Sequence, residues 1–175
     1  MAALDPDLVI YNRLWTLIEA DAGLQAALGT QLKATDVDRL IRDRAARMPA
    51  QFPKLVIERK GGIEHGNPAS TFGQAGGGST VCDYAVPMTR RFAARFVFDR
   101  IEIDQQTPTE TMLRRALLAS GRTLGIVSTC RVSNISFTSE YREEISELTG
   151  NVKRPVLSLM ISVDCRPLLS QLTAS

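Results

Sequence analysis

The chain has 175 residues, 44% of them hydrophobic and 23% charged, with 12 glycines and 8 prolines. These values suit one globular domain that buries about 70% of its unfolded surface, and they exclude a disordered, collagenous or coiled-coil chain. Twenty-one Lys and Arg against 19 Asp and Glu leave a formal charge of +2, so net charge alone does not advertise a nucleic-acid or anionic-membrane partner. There is no 18-residue apolar run, and MAALDPDLVIYNRLW carries Asp5 and Asp7 where a secretory leader carries positive charge. A cytoplasmic product without a membrane partner is the expectation. Cys82, Cys130 and Cys165 are three, with no C-x-x-C among them, which points to buried free thiols rather than a disulfide framework or a metal site.

In chain order, Asp5-Pro6-Asp7 predicts a helix start: an Asp cap, Pro at the first helical position, and an acid near the positive end of the dipole. Leu8, Tyr11, Leu14, Trp15 and Ile18 follow at helical spacing and stop at Ala22-Gly23. A short turn over Leu24–Leu28 then leads to a second helix from Thr35, with an inward face of Leu40, Ile41 and Ala45 and with Arg42, Arg44 and Arg47 towards its end. Pro49 and Pro53 end it, and KLVIERK, residues 54–60, reads as a short strand stopped by Gly61-Gly62.

Residues 61–80, GGIEHGNPASTFGQAGGGST, hold seven glycines and no periodicity, the signature of a long flexible loop within the single domain 1–175. Ser79–Met88 and Arg91–Ile103 alternate as strands. Phe92, Ala94, Phe96 and Phe98 share one face, and Ala93, Arg95, Val97 and Asp99 share the other. Ile101 and Ile103 reverse that parity, which places a bulge or strand end near Asp99-Arg100. Thr107-Pro108-Thr109-Glu110 predicts a capped helix start, with Met112, Leu113, Ala116 and Leu117 inward and Gly121 as the stop. Two strands close the chain, one with Ile135, Phe137 and Tyr141 in phase, the other with Leu157, Leu159, Ile161, Val163 and Cys165 against Ser158, Ser162 and Asp164. One wet face argues for an antiparallel sheet, so the expected class is α+β: four to five strands with helices on one face.

Chemistry is sparse. His65 is the single histidine and stands in the Gly-rich loop without a Cys or Asp near it in sequence, which makes it an interface residue rather than a general base. Gly73–Thr80 lacks the Lys of a phosphate loop and precedes a strand rather than a helix. Glu58-Arg59-Lys60 is the E-x-K half of a metal-dependent nuclease signature, but no strand-borne Asp stands upstream to complete it. No catalytic, cofactor or metal residue is assigned.

The order of elements, with YNRLWTLIEA, FPKLVIERKGG, TPTETMLRRALL and PVLSLMISVDCRPL as anchors, resembles the tail terminator, or tail completion, proteins of long-tailed bacteriophages. The resemblance implies a non-enzymatic virion protein made in the host cytoplasm. It would form a ring, six copies in that family, that caps the tail tube, ends its elongation and joins the tail to the head-neck connector. The implied partners are further copies of the chain, the tail tube protein and the connector protein, with transient contact to phage DNA in the lumen; no cofactor is implied. Lys60, His65, Asn67, Phe72, Arg90 and Arg91 are the candidates for subunit or partner contact, and Arg42, Arg44 and Arg47 for the lumen or a partner. The alternatives are another neck, head-completion or tube-like component, a metal nuclease, and a small ligand-binding domain whose Gly-rich loop grips its ligand.

Overall fold

The computed structural model describes residues 3–28, 53–64, 85–98 and 103–172. Helix α1 spans Pro6–Ala20, and Asp5 caps it, its carboxylate accepting from the Leu8 N–H at 3.1 Å. Of the predicted stripe Tyr11, Leu14, Trp15 and Ile18 are buried, joined by Ile10 and Leu17, while Leu8 is only partly buried. At about 1.5–3 kcal/mol for each fully buried large apolar side chain, this face rather than helix propensity anchors α1. Residues 24–28 are not a turn but belong to a second helix, α2, Ala22–Leu28. Asp21 makes the break, ending α1 in extended geometry while its carboxylate accepts from the Leu24 N–H at 2.9 Å.

Strand β1 is Lys54–Glu64 and β2 is Met88–Val97; a helix, α3, covers Ile103–Leu117; strands β3, Val132–Glu144, and β4, Arg154–Cys165, follow, and a short helix, α4, Leu169–Leu172, comes last. The strands form one sheet in the order β1-β2-β4-β3, with all three neighbouring pairs antiparallel. Leu55 and Ile57 of β1, Phe92, Ala94 and Phe96 of β2, Leu157, Leu159, Ile161 and Val163 of β4 and Ile135 of β3 join α1 and α3 in the main core. The α+β class, with helices on one face of an antiparallel sheet, is the fold observed.

Three boundaries differ from those expected. Gly61-Gly62 does not end β1: the strand continues to Glu64 across a register shift between Arg59 and Gly62, with Gly61 at φ 79°. Gly61 adopts the left-handed conformation that L side chains avoid, so the glycine absorbs a bulge instead of terminating pairing. Thus 61–64 belong to the sheet, while 65–80 lie outside the described residues. On the next strand, Ala85 makes only an isolated bridge to Leu168, and the ladder begins at Met88 and ends at Val97. Ile103 opens α3 instead of closing β2, and the expected bulge at Asp99-Arg100 is outside the described residues, as are the helix predicted at 35–47 and residues 79–84 of the predicted strand.

The third difference is α3 itself, which begins one turn before Thr107 and carries Pro108 inside it. Near a helix start the missing Pro N–H removes a single bond, the one to the carbonyl of residue 104, and the turn survives that loss. Glu110 therefore closes no capping box. Its carboxylate accepts from the Tyr141 hydroxyl and from Arg114 Nε, the latter at 2.7 Å, tying α3 to β3. Gly121, expected as the stop, lies four positions past Leu117 at φ 73°, its N–H bonded to Leu118 O at 2.8 Å, so it closes the turn after the helix instead of capping the helix itself.

Candidate functional site

The alternation that sends aliphatic side chains to the helices sends polar ones to the opposite sheet face. There β1 contributes Glu58 and Lys60, β2 Arg91 and Arg95, β4 Ser158 and Ser162, and β3 Glu140, Arg142 and Glu144, by the observed registers. At one end this face is sealed by a small cluster of Val56, Val97, Val156 and Leu148. Leu148 lies in a 3-10 turn, Glu147–Thr149, which Gly150 closes at φ 69°.

Beside that cluster lies an ionic network. Arg95, its side chain 12% exposed, reaches Glu58 Oε1 at 3.5 Å and Glu144 Oε2 in a shorter contact. Glu58 is also held by Lys60, and Glu144 by Arg142 at 3.0 Å. Burial alone would push the Glu58 carboxyl up; the bond and charge of Lys60, aided by Arg95, outweigh it and hold the group below the usual range. Glu144 is likewise lowered against its own burial, by the Ser146 hydrogen bond and the Arg95 and Arg142 cations. The arrangement runs cation to carboxylate across β1, β2 and β3. Two cations already occupy Glu58, and no group of three metal-ligating side chains occurs among the described residues. In this arrangement the E-x-K of β1 is an ion-pair element of the open face.

Lys60 thus stands at the exposed edge of this face, its side chain 40% exposed, and Arg91 is exposed opposite Ser162. Arg90 does not share their surroundings. It faces the helix side, 17% exposed, between Asp7 Oδ1 at 3.5 Å and Glu64 Oε1 at 3.9 Å. Gly62 makes room for it: a Cβ there would lie 2.7 Å from Arg90 Cδ. Arg90 is consequently an internal brace joining α1 to the end of β1. His65, Asn67, Phe72, Arg42, Arg44 and Arg47 lie outside the described residues.

A shallow groove of about 380 Å³ runs between α1 and the 125–129 segment, lined by Val9, Asn12, Arg13, Thr16, Ile126 and Ser128 among others. Arg13 is engaged within its wall, donating to Leu124 O at 2.7 Å and Ser120 Oγ at 2.9 Å. Cys130 and Cys165 are buried thiols, pushed up to about 11 and about 12 first by burial, which removes the thiolate a nucleophile requires. Sequence reading placed Arg95 on the face opposite the phenylalanines and picked out Glu58 and Lys60 as the E-x-K pair, but did not single out Glu140, Arg142 and Glu144. Their signal was the polar even-numbered positions of β3. No helix among the described residues is long and apolar enough to cross a membrane.

No protein-family model matches the chain, and no curated protein matches it significantly.

Proposed function

We propose that the chain is a structural, non-catalytic virion protein of a long-tailed bacteriophage: a tail terminator that assembles into a ring of six, caps the tail tube and joins it to the head-neck connector. The observation that carries the reading is the element order. The anchors of the resemblance fall on α1, β1, α3 and β4, and the helices gather on one sheet face while a charged face is left for contact with other chains. A ring needs heterologous surfaces whose rotation closes after a few copies, and a sheet ending in two long strands supplies surfaces of that kind. Lys60 and Arg91 remain the partner-contact residues in this account, whereas Arg90 acts through the local fold. Arg42, Arg44 and Arg47 remain the candidates for transient contact with DNA in the lumen.

Native mass spectrometry over a concentration series, with and without assembled tail tube, tests the proposal. A six-subunit species, free or on the tube, is expected. A chain that stays monomeric in both conditions refutes it. Another neck or head-completion role would appear as a ring bound to the connector but not to the tube.

A further inference from the structure

Among the described residues, β1 and β3 each pair on one side only, with β2 and β4 respectively. Such edges present rows of backbone donors and acceptors that template pairing with another chain. The β3 segment is 13 residues long and contains neither Pro nor Gly, so nothing in its sequence blocks a further ladder. Because the sheet has four strands and every neighbouring pair is antiparallel, its two outer strands run in opposite directions. A second copy in the same orientation can therefore set its β1 against the first copy's β3 and continue the antiparallel alternation; an odd number of strands would force a parallel joint.

Charge selects a register. Extending the observed rows straight across, Lys54, Val97, Val156 and Arg142 fall in line; Lys54 is itself buried, and the next copy's Glu58 and Lys60 then stand opposite the uncharged Thr138 and Ser136, which gives no pair of opposite sign. Sliding the next copy by four residues sets Lys60 opposite Glu140 and Glu58 opposite Arg142, both opposite in sign and on the same sheet face. Glu140 and Arg142 have side chains 63% and 48% exposed. The Arg142–Glu140 pair is exposed and cheaply exchanged, and Lys60, 40% exposed, can turn from Glu58 to Glu140 while the mostly buried Glu58 keeps Arg95. The same register puts Ile145, 66% exposed, beside Leu55 at the start of the next β1. A stagger of four residues for every four strands is also the ratio of shear to strand number found in closed barrels whose strands tilt by about 36°.

We propose that copies of this chain associate edge to edge, β3 of one against β1 of the next, with Lys60 opposite Glu140 and Glu58 opposite Arg142. The inference rests on the ring reading for closure of the assembly, while the pairing is testable apart from it. The full-length double variant K60C/E140C is oxidised mildly, and linked peptides are identified by mass spectrometry; the single variants and K60C/S136C, which matches the unshifted register, serve as comparisons, and melting curves establish that each is folded. The 60–140 linkage between copies is expected to exceed the linkage in every comparison by about tenfold or more, since pairing raises the local thiol concentration. Dominant linkage in a single variant would show a symmetric β1–β1 or β3–β3 contact, dominant 60–136 linkage would show the wrong register, and no linkage at all would show no edge contact; each overturns the proposal. Ring closure is read separately from native mass. Linked chains of open-ended length would keep the edge pairing and discard the ring, and six-copy rings without linkage would do the reverse.

Discussion

Replacing Arg95 by Met removes the central cation of the open sheet face while keeping most of its volume. Breaking a fully buried ion pair costs roughly 3–5 kcal/mol, because a charge is left without a partner. Here the carboxylates are not orphaned: Glu58 keeps Lys60 and Glu144 keeps Arg142. The Arg95 Nε also has no hydrogen-bond partner among the described residues, a cost that the substitution removes. We therefore expect a loss of about 2 kcal/mol at neutral pH, or roughly 6 °C in Tm for a chain of this size. Both glutamates have native pKa values below the ordinary 4.5. Groups lowered in the native state contribute stability that is complete above the unfolded value and disappears as pH falls through the native one. The wild-type advantage over R95M should consequently hold from pH 7 to about pH 5 and shrink below 4.5. Urea unfolding followed by circular dichroism at pH 7 and at about pH 3 measures both. A difference independent of pH, or a stabilised variant at pH 7, would refute the electrostatic account of this face.

Gly62→Ala should lower stability by about 1–2 kcal/mol, because its Cβ would sit 2.7 Å from Arg90 and 2.9 Å from the Thr89 carbonyl, an overpacking that backbone on one side cannot relieve; an unchanged melting temperature would contradict it. Cys130 and Cys165 should resist iodoacetamide at pH 8 in the native chain and react in urea, with labelling at each cysteine followed by peptide mass; rapid native labelling of either would contradict its burial. Tyr141, pushed up to about 12 by burial and then by its bond to Glu110, should remain protonated at pH 11 in an ultraviolet titration, and the Y141F variant should leave that titration unchanged up to this pH. Deleting Gly73–Gly78 is expected to leave melting unchanged and to block ring formation, so a loss of fold in the monomer would make that segment structural.

Parity was the most legible property of this sequence. The alternation at Phe92, Ala94 and Phe96 and at Leu157 through Cys165 marks the core face because a strand has period two, and Asp5-Pro6 marks α1 because a cap and a ring-constrained φ act locally. Pro108 and Gly61-Gly62 misled for the complementary reason. Each usually ends an element, but a proline in an early turn removes only one bond, and a glycine at positive φ lets a strand bulge and continue. The network on the open face was half legible. Glu58 and Arg95 were visibly polar, yet Arg95 meets Glu58 from 37 positions away and Glu144 from 49, a juxtaposition set by the strand registers that no local pattern encodes. The candidate contact residues were read in the same local way, so Arg90 and its neighbour Arg91 looked equivalent although a strand sends them to opposite faces.

The central claim is that this chain ends tube growth. Its most direct test is tail length, measured by negative-stain electron microscopy of tail tube protein assembled with and without the purified chain. The account predicts tubes capped by a ring and arrested in its presence, and continued elongation in its absence. Tubes of equal length in both conditions, with no density at their ends, would contradict it.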